Sequence, residues 1–124
     1  MLFRSHIVAH AIETHSFSAA LQPTTLEAQI VQDADRLDAL GAVGLARMFY
    51  IAGRMGTALA HPDDPLARNR EHNDKLYSLD HIEVKLATLP GSMQTAAGRA
   101  LGEQRLRELL AFRDSFVAEW AVAA

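Results

Sequence analysis

The sequence predicts an all-α domain, a bundle of helices without strands, and three observations carry that prediction. Apolar residues recur at helical spacing along several stretches, and clusters of turn residues separate those stretches. Val, Ile and Thr are too scattered to compose a convincing strand. Residues 6–15 read as the tail of a helix, with Ile7, Ala11 and Ile12 at helical spacing. A loop of small residues follows and closes at Pro23. Thr24, Thr25, Leu26 and Glu27 then have the Thr-x-x-Glu form of a capping box, where hydroxyl and carboxylate each satisfy a free backbone donor. A helix is expected from there to about Leu40, with Leu26, Ile30 and Leu37 on one face.

Gly41 and Gly44 mark either a joint or a close contact between helices. The stretch 43–55 is apolar around most of its circumference, the pattern of a buried helix. From 56 to 77 the periodicity fails: residues 61–65 are turn chemistry and 68–75 are polar and charged, a long surface loop of the kind that is functional or mobile. Ser78 is the expected N-cap of a helix through Leu89, with Ile82, Leu86 and Leu89 on one side. Pro90 and Gly91 end it, and Ser92 opens the last and longest helix. Leu106, Leu109, Leu110, Phe116, Val117 and Trp120 trace its apolar stripe.

With 124 residues, 49% of them apolar, the chain is long enough for one globular domain and short for two. Its net charge of −3 and the lack of any Lys/Arg block omit the basic footprint of a nucleic-acid binder, so small molecules or other proteins are the expected partners. No cysteine is present, which excludes disulfides and thiolate metal sites. No apolar run approaches the roughly 20 residues of a membrane span, and no signal peptide is visible, so the expected location is cytoplasmic. Residues 1–5 match one reading frame of a common sequencing adapter. We expect them to be an assembly artefact, leaving 6–124 as the native part. Phosphate loops, dinucleotide fingerprints, nucleophile elbows and His-Glu-x-x-His are all absent.

Chemistry concentrates between residues 30 and 41. Asp33, Asp35 and Asp38 lie within six residues of a helix expected to be largely buried. An unpaired buried charge costs several kcal/mol, on the order of a small domain's whole stability, so these carboxylates either pair with Arg36 or Arg47 or serve a ligand. At about 100° per residue, Asp33 falls with Leu26, Ile30 and Leu37, whereas Asp35 and Asp38 share another face with Val31 and Ala42. A second cluster holds Asp80, His81 and Lys85. His81 and Lys85 are four residues apart, so an unbroken helix points them the same way. Lys85 then either meets a phosphate or pairs with a nearby carboxylate. Arg68, Arg70, His72 and Lys75 either clamp a substrate or face water, and His61 beside Pro62 reads as a turn residue. His6, His10 and His15 are not expected to make a three-histidine site.

The run Ala34, Asp35, Arg36, Leu37, Asp38 resembles the final motif of the HD superfamily of metal-dependent phosphohydrolases. The likeness continues in order through His15 to Ser18, Glu27 and Ala28, 31–41, 77–81, Lys85 and Leu86, Leu89 and Pro90, and 93–95, which resemble the C-terminal half of one bacterial subgroup. It covers essentially all of 6–124. The resemblance implies an all-α bundle of the HD-domain type in which Asp35 is a ligand to a divalent metal, Mn²⁺ or Mg²⁺. It implies catalytic roles for His15 and Asp38, and contacts from Arg36, His81 and Lys85 to substrate phosphate. Asp33 stands where relatives often carry Leu, which puts a shared ligand role in doubt.

The implied metal polarises a phosphoryl oxygen and turns a bound water into hydroxide, and the implied substrate is a nucleotide or another phosphate ester or anhydride. The chain departs from the family in lacking any His-Asp dipeptide and the upstream helices that carry the first ligands. It is therefore expected to be truncated at its N-terminus, inactive by itself, and prone to self-association through apolar surface left bare. The competing expectation is a non-catalytic helical interaction module on a degenerate scaffold. A cyclic-dinucleotide phosphodiesterase of the same class is disfavoured, because its Gly-Tyr-Pro signature is missing.

Overall fold

A computed structural model describes His10 and residues 23–123. Within 23–123 the helices are α1 (Leu26–Leu37), α2 (Gly41–Arg54), α3 (Asp80–Val84) and α4 (Ala96–Ala123). Two 3₁₀ turns, Leu86–Thr88 and Pro90–Ser92, join α3 to α4. The described residues form no strand; one isolated parallel bridge pairs Ala58 with Tyr77. The class is all-α, as predicted. Helices α1 and α2 both lie against the long α4. No helix of the described residues is long and apolar enough to cross a membrane.

The core is built from Leu40, Leu45, Leu79, Ile82, Leu86, Leu89, Met93 and Leu109. The predicted stripe of α4 supplies much of its outer layer: Leu109 is fully buried, and Leu106, Leu110, Phe116, Val117 and Trp120 pack against it. Phe116 stacks on Trp120 at 5.2 Å, and the Trp120 indole donates to the His61 carbonyl at 3.2 Å.

The N-cap of α1 is Thr25 rather than Thr24. Thr25 is extended, and its hydroxyl accepts from the Ala28 amide at 3.1 Å, the bond an N-cap makes to the third helical residue. Glu27 thus stands one place too early for the reciprocal half of a capping box. Thr24 turns away, its amide donating to the His10 imidazole at 2.7 Å. Helix α1 stops at Leu37, short of Leu40, and the Leu37 carbonyl accepts from the Leu40 amide at 3.1 Å and from Arg105 at 2.8 Å. A cation at the negative end of a helix is favourable.

The joint to α2 needs both of its glycines. Gly41 has a φ of +81°, and a Cβ on Gly44 would collide with the Ala39 carbonyl.

Burial along α1 and α2 departs from the apolar pattern. The inward face of α1 carries Ala28, Gln32, Asp33 and Arg36, while Leu26 and Ile30 face outward. Helix α2 buries only Gly41, Gly44 and Leu45 and exposes Val43, Tyr50 and Ile51, and its C-cap Met55 is exposed too. The expectation of a buried α2 is not met among the described residues.

Asp33 explains the polar face of α1. Its Oδ1 accepts from the Gln94 amide at 2.7 Å, and its Oδ2 accepts from the Thr95 amide at 2.9 Å and the Thr95 hydroxyl at 2.7 Å. Thr95 in turn caps α4 through the Gly98 amide at 3.0 Å. A carboxylate is well placed at the positive end of a long helix. The fit is tight, since a Cβ on Gly98 would strike the Asp33 carboxylate. Ser92, expected to open α4, lies instead in the preceding 3₁₀ turn. Ser78, expected to cap the 78–89 helix, donates to the Ala58 carbonyl at 3.0 Å. That single helix is broken at Lys85, whose φ of −127° and ψ of −56° are not helical. Ile82, Leu86 and Leu89 nevertheless all point into the core.

Candidate active site

An open cavity of about 760 Å³ lies where α1, α2, the 56–79 loop and α3 meet. That volume is in the range of small-molecule sites, roughly 300–1,000 Å³. Asp35 and Asp38 reach it from α1, one turn apart, as the shared face of the sequence predicted. Arg47, Met48 and Ile51 reach it from α2, Asp74 and Lys75 from the loop, and His81 from α3.

Asp35 and Asp38 are exposed, so the carboxylates are not held in the buried helical interior that the sequence suggested. Neither carboxylate makes a hydrogen bond or close ion pair among the described residues, although Asp35 lies near enough to Arg36 to oppose the fall in its pKa. The ends of Arg47 and Lys75 are equally unpartnered among them. His81 is occupied on one side only: its Nδ1 meets the Asp74 carboxylate at 2.8 Å. The wall therefore offers two free anions, two free cations and an oriented imidazole beside apolar side chains. Such a surface suits a polar, multiply charged ligand with an apolar part.

The remaining candidates fall elsewhere. Arg36 is buried and donates from Nη1 to the Ser92 carbonyl at 2.8 Å, which fastens α1 to the approach of α4 and keeps the guanidinium off the cavity wall. Burial holds its pKa below the ordinary arginine value, against the opposing pull of Asp33 and Asp35. Lys85 sits at the helix break, so the four-residue alignment with His81 is lost, and Lys85 is absent from the wall. Asp33 is committed to α4. His15 and residues 1–5 lie outside the described residues.

Sequence reasoning passed over Asp74, weighed Arg47 only as a partner for the aspartates, and left Lys75 between clamping a substrate and facing water. A cation in the middle of an otherwise apolar stretch was the available signal for Arg47. Nothing in the spacing of the loop distinguished Asp74 and Lys75 from neighbours that face water.

The loop is a built wall rather than a slack connection. Asp80, with no exposed side-chain surface, takes both arms of the Arg70 guanidinium at 2.7 and 3.0 Å and the Asn73 amide at 2.7 Å. Burial alone would raise the Asp80 carboxyl; the Arg70 and Asn73 hydrogen bonds outweigh it and leave the pKa below the ordinary carboxylate value. The Arg70 guanidinium also lies 4.7 Å from the centre of the Tyr77 ring and donates to the Asp64 carbonyl at 2.9 Å. Asp64 accepts from the Arg68 and Asn69 amides at 2.9 and 3.0 Å. His61 is the turn residue expected: its Nδ1 accepts from the amides of Asp63 and Asp64 at 3.1 and 2.9 Å.

A divalent metal needs more than these residues provide. Among the described residues no three His, Cys, Asp or Glu side chains stand close enough to hold an ion. Asp35 and Asp38 do not constitute a metal site by themselves.

The chain is similar to a solved hydrolase of the HD superfamily, from Bacillus thuringiensis, which is 39% identical, with a TM-score of 0.65 over 78% of this chain and 47% of that one. YpgQ of Bacillus subtilis is 38% identical over 109 residues, which make up 85% of this chain and 47% of YpgQ. The structure of YpgQ in complex with ADP matches with a TM-score of 0.72, covering 93% of this chain and 52% of that one. A Lactobacillus plantarum protein of known structure is 36% identical, with a TM-score of 0.70 over 90% of this chain and 59% of that one. The chain thus spans about half the length of the curated relative it matches. No protein-family model matches it.

Proposed function

We propose that this chain is the C-terminal part of a metal-dependent phosphohydrolase of the HD type, acting on a nucleotide or a related phosphate ester or anhydride. The observation that carries the reading is the convergence of unpaired Asp35, Asp38, Arg47 and Lys75 on one open cavity. The likeness to an HD-superfamily hydrolase supports the reaction class, and the ADP complex of YpgQ supports a nucleotide ligand. In this reading Asp35 gives one ligand to Mn²⁺ or Mg²⁺, and the other ligands come from a segment outside the described residues. Imidazole and carboxylate together suit such ions. Asp38 and His15 are its catalytic neighbours and His81 its substrate contact, while Arg36 and Lys85 act on the scaffold. The location is cytoplasmic.

The same upstream segment is proposed to cover the bare faces of α1 and α2, where Leu26, Ile30, Val43, Ile51 and Met55 stand exposed. Without it the chain self-associates through that surface. A second reading, a non-catalytic helical interaction module, draws on the same bare faces and on the incomplete ligand set.

A screen of nucleotides with Mn²⁺ or Mg²⁺ separates the two, run on this chain and on the chain joined to its upstream coding sequence. The longer form is expected to release phosphate or pyrophosphate only with metal, and the short form to release none. Hydrolysis by neither form leaves the interaction module standing.

A further inference from the structure

We infer that His61 is an acid-sensitive latch: unprotonated, it fastens the 61–65 turn against α4, and protonated, it lets that turn go. The inference is independent of the phosphohydrolase reading. None of the residues that build the latch lines the cavity at Asp35 and Asp38.

The chemistry of the turn fixes the state of the ring. His61 Nδ1 faces the Asp63 amide at 3.1 Å and the Asp64 amide at 2.9 Å. Backbone amides only donate, so Nδ1 must offer its lone pair and the ring hydrogen belongs on Nε2. A proton added at Nδ1 sets three N–H groups against one another and removes both bonds. The carbonyl of the same residue accepts from the Trp120 indole at 3.2 Å. The turn thereby closes over a cavity of about 450 Å³, with Pro62, Pro65 and Leu66 on one side and Val117 and Trp120 on the other. The imidazole also stands edge-on to the Tyr77 ring at 5.2 Å.

The charges around the ring pull in opposite senses. Asp63 and Asp64 flank it within the turn. The Asn69 and Arg68 amides hold the Asp64 carboxyl below the usual carboxylate range, so it stays ionised well into acid. An ionised carboxylate beside the ring favours the imidazolium and gives it a partner once the amides are lost. Arg70, 4.0 Å from the Asp64 carboxylate and lying over Tyr77, opposes that charge. From α4 the contact is Trp120, which carries none. The amides and Arg70 thus hold the neutral ring, and the two aspartates receive the charged one. Losing two hydrogen bonds shifts the ratio of fastened to open turn by about tenfold or more. Arg70 donates to the Asp64 carbonyl and pairs with Asp80, so the state of the turn also bears on the loop wall.

Trp120 is the sole tryptophan of the chain, so its fluorescence reports the latch directly. Its emission and its quenching by acrylamide are followed in this chain from pH 8 to pH 5, the interval in which histidines change charge. Emission is expected to move to the red, and quenching to rise, as the pH falls. His61→Asn keeps an acceptor for the same two amides, as Asx turns do, but does not titrate. Its spectrum should match the parent at pH 8 and stay there at pH 5. His61→Ala has no acceptor and should show the acid spectrum at both pH values. The other histidines remain in both variants, so neither trace can be assigned to them. A parent spectrum that does not move overturns the latch. So does an acid shift that survives in His61→Asn, or a parental spectrum from His61→Ala at pH 8.

Discussion

Arg70→Ala is expected to lower the unfolding free energy by about 3–5 kcal/mol, the scale of breaking a buried ion pair from one side. Asp80 would remain inside the protein with only the Asn73 amide against it, after losing two guanidinium bonds of 2.7 and 3.0 Å. Total stability for a domain of this size is on the order of 5–15 kcal/mol, so the variant sits near the edge of folding at 37 °C. Urea unfolding followed by circular dichroism measures the loss, and a deficit under about 1 kcal/mol would mean that the pair is solvated.

The same pair sets an acid dependence. The folded pKa of Asp80 lies below its ordinary value, so its contribution is fully present above about pH 4 and is lost as pH falls through the folded pKa. Arg70→Ala removes the main group that holds this pKa down. Its deficit relative to the parent should therefore shrink in acid.

The second large effect belongs to Asp33. Replacing it with alanine strands the Gln94 and Thr95 amides and the Thr95 hydroxyl at the start of a 28-residue helix. A buried donor without a partner costs about 1–3 kcal/mol, and loss of a cap about 1. We expect Asp33→Ala to destabilise the chain by about 2–4 kcal/mol, while a Thr24→Ala variant, which leaves the Thr25 cap in place, loses well under 1 kcal/mol. Equal losses in the two variants would contradict the placement of the Asp33 carboxylate.

These two anchors show why some of the fold was legible in the sequence and some was not. The stripe Leu109, Phe116, Trp120 and the set Ile82, Leu86, Leu89 follow helical periodicity, and periodicity is a local property of the chain. Burial of Asp33 and Arg36 depends on partners near residues 92–95, some sixty residues away, so α1 shows a polar inward face that no local pattern reveals. The break at Lys85 is equally invisible from spacing. On the cavity, Asp35 and Asp38 were readable because three residues on a helix share a face. Asp74 and Lys75 were not, because a loop has no period; the Asn73–Asp80–Arg70 knot and the Asp74–His81 bond bring them there.

The most direct measurement is metal-dependent nucleotide hydrolysis by the chain joined to its upstream coding sequence, parent against Asp35→Ala. A lost metal ligand removes several kcal/mol of stabilisation, so activity should fall by about a thousandfold or more, with the melting temperature little changed because Asp35 is exposed. Parental hydrolysis by Asp35→Ala would contradict the account at its centre.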